Sequence, residues 1–322
     1  MKTLLKLFVL TVILFTAVSC EKETLGNSIF IDEDPKAQAA FDYWLNDNYL
    51  KSYNLDFMYK MQDVGTPTDY NLVPTRLAKS KEMAILVKYL WFDVYGEVVN
   101  EDFLKIYGPR IIHLIGSAAY NGNGTRILGT AEGGIKVTLY DCNSLQAGNI
   151  LFNNEYYFHT MHHEFAHILH QKKSYPKEYE TLSAGYYDPM YWQEREDDGT
   201  PNEAEIRGRS AYAPLGFVTA YASSAPREDF VEVISCYITK SDVWWNDLLR
   251  QAELSGPNDE PIKGKEVILK KIEICKKWLL EEWKIDLDVM RANVRERQLH
   301  VNEALQNGFE EMKAYEEILS NE

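Results

Sequence analysis

The chain has 322 residues and a formal net charge of −15 at pH 7. This charge disfavours binding to nucleic acid and broad contact with anionic lipid headgroups, while the length can bury a large core. Three cysteines follow Cys20, an odd number that leaves at least one thiol unpaired, so we expect no disulfide framework and buried, inert thiols at Cys142, Cys236 and Cys275.

The N-terminus has the pattern of an export signal. A basic start precedes the apolar stretch 7–18, which is too short to span a bilayer as a helix. The stretch ends in Ala-Val-Ser-Cys20 and resembles a bacterial lipobox, although Ala17 stands where leucine is usual. This resemblance implies a signal peptide at 1–19 and a lipid on Cys20. A plain secretion signal with a free Cys20 is the alternative.

Residues 20–34 are polar and acidic, which predicts a flexible tether and places the folded domain at 35–322. In that domain the apolar periodicity predicts helices at 37–61, 79–95, 155–172, 228–239 and over most of 261–322, and strands at 110–115 and 135–140. Turns are expected at 66–69, 121–124 and 256–259, and a long ordered loop region at 183–225. The fold class predicted is α+β, helix-rich, with a small mixed sheet beside the 155–172 helix.

A histidine-rich segment carries the main chemical motif. Residues 163–167 read His-Glu-Phe-Ala-His, the H-E-x-x-H pattern. On a helix the two histidines, His163 and His167, share one face and can bind one zinc ion. Glu164 lies beside them as a general base for a water molecule whose pKa zinc lowers.

The predicted helix has two distinct faces. Met161, Phe165 and Ile168 form an apolar stripe for the core. The opposite stripe holds four histidines: His159, His163, His167 and His170. A polar helix face with incidental histidines is the alternative interpretation.

A catalytic zinc site needs a third protein ligand. The extended motif with a third histidine is absent, because His170 and Lys173 occupy its positions, so we expect a carboxylate from another helix. Glu203 and Glu205 are candidates, but the segment around Glu228 is a better one.

In that segment Pro226 suits the first turn of a helix, so Glu228 and Glu232 would lie one turn apart on one face. We expect Glu228 to bind zinc and Glu232 to hydrogen-bond a ligand histidine, with Phe230, Val233 and Ile234 in the core. An acidic first turn that complements the helix dipole is the alternative.

The H-E-F-A-H helix, followed by Y-A-x5-E-D-F-x-E, resembles the gluzincin branch of the zincin metallopeptidases. It resembles in particular the lipoprotein metallohydrolases that Gram-negative bacteria encode beside TonB-dependent importers, and, around the second motif, the catalytic domain of anthrax lethal factor. The resemblance implies a zincin-like fold, one Zn²⁺ per chain, and a Tyr221 hydroxyl that donates to the oxyanion. It also implies a lipid anchor in the outer membrane, TonB-dependent importer components as partners, and a peptide or protein substrate. Thermolysin-like relatives carry aspartate where Glu232 stands.

These features predict a zinc peptidase that cleaves peptide bonds with a zinc-activated water. The strand at 134–140 would be either the sheet edge on which the peptide lies or an interior strand. Two other functions stay open: a non-catalytic, ligand-binding lipoprotein with a vestigial zinc site, and a hydrolase of a non-peptide amide. Four aromatic residues could line a sugar site or simply pack: Tyr186, Tyr187, Tyr191 and Trp192.

Overall fold

The computed structural model describes residues 34–61, 71–120, 126–132, 134–188, 212–253 and 263–321. Several predictions fall on other residues and lie outside this part of the chain. They are the signal peptide and Cys20, the turns at 66–69, 121–124 and 256–259, and the residues Tyr191, Trp192, Glu203 and Glu205.

The N-terminal half of the domain contains helices α1 (Pro35–Leu45), α2 (Leu77–Val87), α3 (Asp93–Val98), α4 (Phe103–Tyr107), α5 (Ile150–Asn153) and α6 (His159–Lys172). Wider π-helical turns extend α1 over Asn46–Lys51, join α2 to α3 over Lys88–Phe92, and join α5 to α6 over Asn154–Phe158. The predicted helices at 79–95 and 155–172 are therefore confirmed.

The C-terminal half is almost wholly helical, as predicted. It contains α7 (Glu178–Thr181), a 3-10 turn (Tyr221–Ser224), α8 (Pro226–Thr239), α9 (Asp242–Gln251), α10 (Gly264–Trp278), α11 (Leu287–Leu299) and α12 (Val301–Ser320). Side-chain caps fix two of the starts, because Ser241 accepts from the Trp244 amide and Asp286 accepts from the Asp288 amide.

The strands are β1 (Asp56–Met58), β2 (Ile111–Leu114), β3 (Ala119–Tyr120), β4 (Arg126–Ile127), β5 (Gly129–Glu132) and β6 (Lys136–Leu139). The main sheet has the order β1-β2-β6-β5, in which β5 alone is antiparallel to its neighbour. Together with the helices, this small mixed sheet confirms the α+β class and the strands predicted at 110–115 and 135–140.

One predicted helix is wrong in its second half. The helix expected at 37–61 ends early, and Asp56–Met58 form β1 instead. The cause is visible at Asn54, which has a φ of 54°. This left-handed conformation breaks a right-handed helix, and asparagine adopts it more readily than most residues.

The order of the sheet decides between the two interpretations of the strand at 134–140. Strand β6 lies between β2 and β5 and is therefore an interior strand, while β5 forms the edge. β5 passes close to the N-terminal end of α6, because a Cβ at Gly129 would lie 2.6 Å from Thr160 Cγ2. The sheet edge beside the histidine helix thus belongs to 129–132, a strand that the sequence did not reveal.

Helix α8 is the centre of the domain. It packs against α6 on one side and against α10 and α11 on another, while α12 covers α1 and α2. The side chains of Phe230, Val233 and Ile234 on this helix are buried in the core, as predicted. The three cysteines of the described residues are free and buried, and burial raises the pKa of each thiol. Every helix in the described ranges is too short or too polar to cross a bilayer.

Candidate metal centre

Helix α6 presents two faces that differ in chemistry. Met161, Phe165 and Ile168 are at most 3% exposed and pack in the core. The face of His163 and His167 points towards α8. The predicted division of this helix into an apolar and a histidine stripe is confirmed.

Helix α8 faces these histidines with two carboxylates. Pro226 occupies the first turn, and Glu228 and Glu232 follow on successive turns of one face. Oε2 of Glu228 lies 3.3 Å from Nε2 of His163 and 3.1 Å from Nε2 of His167. The two helices therefore bring Glu228 to two histidines that lie at least 61 residues earlier in the sequence.

The three atoms have the spacing that a zinc ion requires. Zinc bonds of about 2.0–2.1 Å in a tetrahedron place neighbouring ligand atoms about 3.3 Å apart. The observed separations of 3.1 and 3.3 Å match that edge length. Two imidazole nitrogens and one carboxylate oxygen also form a donor set that zinc prefers. His163, His167 and Glu228 therefore fit a zinc ion.

The second nitrogen of each imidazole has its own partner. Nδ1 of His163 lies 2.8 Å from Oε1 of Glu232, and Nδ1 of His167 lies 2.9 Å from Nε2 of His170. Such contacts fix the orientation and tautomer of a ligand histidine, and they leave both Nε2 atoms directed at Glu228.

A second group of the described residues could also hold a metal, namely His159, His163 and Glu232. Its geometry favours hydrogen bonding instead. Oε1 of Glu232 lies 2.8 Å from both Nε2 of His159 and Nδ1 of His163, which is a hydrogen-bond distance and shorter than a tetrahedral edge. Oε2 of Glu232 accepts from the Thr219 hydroxyl at 2.7 Å, so this carboxylate is held at both oxygens.

The electrostatics of the site favour a cation. Burial alone would raise the pKa of the Glu228 carboxyl, but hydrogen bonds from His163 and His167 hold it well below its usual range. Burial of Glu232 is likewise outweighed by His159 and His163, which lower its pKa. Both carboxylates are therefore ionised at neutral pH and place two negative charges around the imidazole nitrogens.

Helix α6 and the 3-10 turn before α8 position the two predicted catalytic side chains, Glu164 and Tyr221. Glu164 lines a cavity of about 440 Å³ together with His163 and Tyr221. The Tyr221 hydroxyl donates to Oε2 of Glu228 at 3.1 Å. Burial, and then the negative charge of Glu228, raise the pKa of Tyr221, so its hydroxyl keeps the proton that a donor needs.

Three residues of the site received no role from sequence reasoning. His159 and Thr219 hold Glu232, and His170 holds His167. His159 and His170 were visible only as members of the histidine stripe, and nothing in the sequence marks Thr219. Burial, followed by the nearby His167, lowers the pKa of His170 to about 4, which leaves its imidazole neutral at pH 7.

A buried ion pair fixes the start of α8 and was also missed. Lys271 of α10 lies 2.6 Å from Asp229, the residue after Glu228, and both side chains are 0% exposed. The Lys271 ammonium group also donates to the Ser183 hydroxyl at 2.8 Å and to the Gly216 carbonyl at 2.7 Å. These contacts tie two loop segments and α10 to the turn that carries Glu228.

This fold and this donor set define a zinc metallopeptidase of zincin-like fold. Residues 34–288 match the model of a family described as "Putative zinc-binding metallo-peptidase". The match covers more than half of the chain, and the chain belongs to this family.

A solved structure supports the same assignment. The crystal structure of a "putative zinc-binding metallo-peptidase" from Bacteroides caccae ATCC 43185 is 43% identical in sequence and superimposes with a TM-score of 0.70. The alignment covers 86% of this chain and 97% of the other. Comparison with curated proteins gave no match.

Proposed function

We propose that this protein is a peptidase of the gluzincin type, which hydrolyses peptide bonds with zinc held by His163, His167 and Glu228. The observation that carries the proposal is the convergence of both Nε2 atoms on one oxygen of Glu228, at 3.1 and 3.3 Å. Zinc, when bound, supplies a Lewis acid that lowers the pKa of water and polarises a carbonyl group.

The side chains around this centre have complementary roles in the proposed reaction. Glu164 takes a proton from the attacking water as the oxygen–carbon bond forms, and it returns that proton to the amine when the carbon–nitrogen bond breaks. Tyr221 donates its hydroxyl proton in a hydrogen bond to the developing oxyanion. Glu232 holds His163 in the orientation that ligation requires.

A peptide substrate would bind at the edge strand β5. Among the strands of the described residues, β5 is paired with β6 and forms an edge of the main sheet, and it lies against α6 at Gly129. An extended peptide can add to such an edge through backbone hydrogen bonds. Gly129 of β5 and Glu164 line the same cavity, so a peptide paired with β5 would pass close to Glu164, which supports a peptide bond as the one that is cleaved.

The test of this function is a comparison of the zinc-loaded protein with its Glu164→Gln variant on a library of fluorogenic peptides. We expect the wild type to cleave members of the library, and the variant to retain zinc but lose about 10²- to 10⁴-fold in kcat, because glutamine cannot accept a proton. A variant with normal turnover would remove Glu164 from the mechanism. A zinc-loaded wild type without turnover on any peptide would contradict the peptidase function.

We also propose that export and a lipid on Cys20 place this peptidase on the bacterial outer membrane. The apolar stretch 7–18 and the small residues before Cys20 support export and a lipid on Cys20, and the outer membrane is implied by the family resemblance. Two or more acyl chains hold a protein on a membrane stably without a transmembrane helix.

A further inference from the structure

Three cavities lie along the helical segment that runs from α5 through α6, and residues of this segment line each of them. The first, of about 270 Å³, is lined by Glu164, His167, Ile168 and Gln171 and is called the outer cavity. The central cavity, of about 440 Å³, contains His163, Glu164 and Tyr221. The distal cavity, also about 440 Å³, begins at Leu151 and Asn154.

Neighbouring cavities share residues, so they form one row. Glu164 lines both the outer and the central cavity. Glu155 and Lys240 line both the central and the distal cavity, and their side chains form an ion pair with each other. A chain that lies over this ion pair would therefore occupy the distal cavity and the catalytic centre at once.

The length of the row indicates how much substrate it can hold. The segment from Leu151 to Gln171 spans about 30 Å at about 1.5 Å per helical residue. An extended peptide advances about 3.3 Å per residue, so the row can hold about nine residues. From Glu164 to the distal cavity the distance corresponds to about four or five substrate residues.

The distal cavity has the chemistry of a site for a peptide side chain. Most of its lining is polar, including Asp247 and Gln251, and Tyr212 and Trp244 provide partly exposed aromatic surface. Trp244 is held edge-on against the buried Trp245, with ring centroids 5.1 Å apart. A rigid aromatic surface gives large contact area at low entropic cost.

We infer that the distal cavity is a substrate subsite, which binds an apolar or aromatic side chain four or five residues from the cleaved bond. The enzyme is then an endopeptidase that prefers long, extended segments of polypeptide to short peptides. This inference rests on the proposed peptidase function and adds to it the length of the substrate and the residues that select it.

The test uses two fluorogenic peptides with the same residues around the cleaved bond. One has four residues and cannot reach the distal cavity, and the other has ten, with phenylalanine at the fourth and fifth positions from the cleaved bond on both sides. The zinc-loaded wild type is compared with Trp244→Ala, with Leu151→Trp, which narrows the cavity, and with the control Val243→Ala, whose residue is 79% exposed on the same helix and lines none of the three cavities.

We expect the wild type to cleave the long peptide with a kcat/KM at least about tenfold higher than that of the short one. Trp244→Ala and Leu151→Trp should lower kcat/KM for the long peptide by about tenfold, mainly through KM, and leave the short peptide unaffected. Val243→Ala should match the wild type. Normal cleavage of the short peptide shows in the same experiment that each variant is folded.

Other outcomes separate the two proposals. Cleavage that is independent of length, or equal losses on both peptides, would overturn the distal subsite and leave the peptidase function in place. A wild type that cleaves neither these peptides nor any library member would overturn both.

Discussion

Two glutamates on one face of α8 have identical side chains but contact different atoms of the histidines. Glu228 lies 3.1 and 3.3 Å from two Nε2 atoms, at the spacing of zinc ligands. Glu232, one turn later, lies 2.8 Å from Nε2 of His159 and from Nδ1 of His163. It also accepts a hydrogen bond from the Thr219 hydroxyl, so it acts as a hydrogen-bond acceptor. Glu228 therefore meets the Nε2 atoms of both motif histidines, whereas Glu232 meets Nδ1 of His163 and the third histidine, His159, and is placed to orient the ligands.

Tyr221 gives the prediction at this scale. Its hydroxyl lies 3.1 Å from Oε2 of Glu228, beside the proposed metal position, so Tyr221→Phe removes an oxyanion donor without removing a ligand. We expect kcat to fall by about 10²-fold or more, with zinc content unchanged. Steady-state kinetics beside elemental analysis checks this, with Tyr186→Phe as control because Tyr186 is exposed and lines none of the three cavities. Unchanged kcat would exclude the oxyanion role.

Sequence analysis found the site residues that occur as pairs one helical turn apart. His163 and His167, and likewise Glu228 and Glu232, are four residues apart, and helical geometry alone places each pair on one face. It did not predict the roles of Thr219 and His170. Their side chains act on groups that tertiary packing brings close, and no spacing in the sequence encodes that contact.

At the scale of elements, the start of α8 depends on the ion pair between Asp229 and Lys271. Both side chains are fully buried, and burial raises the pKa of Asp229 and lowers that of Lys271. Each charge therefore needs the other. The pair sits directly after Glu228 and fixes where that residue leaves the first turn of α8.

Lys271→Met should destabilise the fold by about 3–5 kcal/mol, because it leaves the Asp229 carboxylate buried without its partner. Denaturant unfolding measures this loss. The control is Lys270→Met on the same helix, whose exposed contact with Glu273 should cost less than about 1 kcal/mol. The double variant Lys271→Met/Asp229→Asn should recover part of the loss. Equally small losses of stability in Lys271→Met and Lys270→Met would show that the fold does not need the buried pair.

The elements that the sequence missed are short and depend on their neighbours. Apolar periodicity continued through 37–61, and only the left-handed Asn54 shows why the helix stops there. Strand β5 has four residues and follows β4 after a single residue, so little in its sequence distinguishes it from a loop. Long helices such as α6 and α8 were predicted because their apolar periodicity extends over several turns, and because Pro226 marks the start of α8.

At the scale of the whole molecule, the domain would be held at a membrane by its N-terminal segment. The association with TonB-dependent importers stays a prediction of the family resemblance. The lipid on Cys20 can be tested directly, because cysteine supplies the thiol that is acylated.

In a Gram-negative host we expect the wild type in the membrane fraction. Its N-terminal peptide should begin at Cys20 and carry the added mass of a lipid. Cys20→Ser should carry no lipid and leave the outer membrane, whereas the control Ser28→Ala in the predicted tether should behave as the wild type. Cell fractionation with mass spectrometry of the N-terminal peptide checks this. A mature wild type with a free Cys20 thiol would contradict the lipid anchor and favour plain secretion.

Two helices bring His163, His167 and Glu228 together as the proposed zinc ligands, and elemental analysis of the purified protein tests this site most directly. We expect one zinc ion per wild-type chain, the same content in Glu164→Gln, and a clear loss of zinc in a folded Glu228→Ala variant. A wild type that binds no zinc when it is supplied would contradict the site. Zinc retained unchanged in Glu228→Ala would show that the third ligand is another residue.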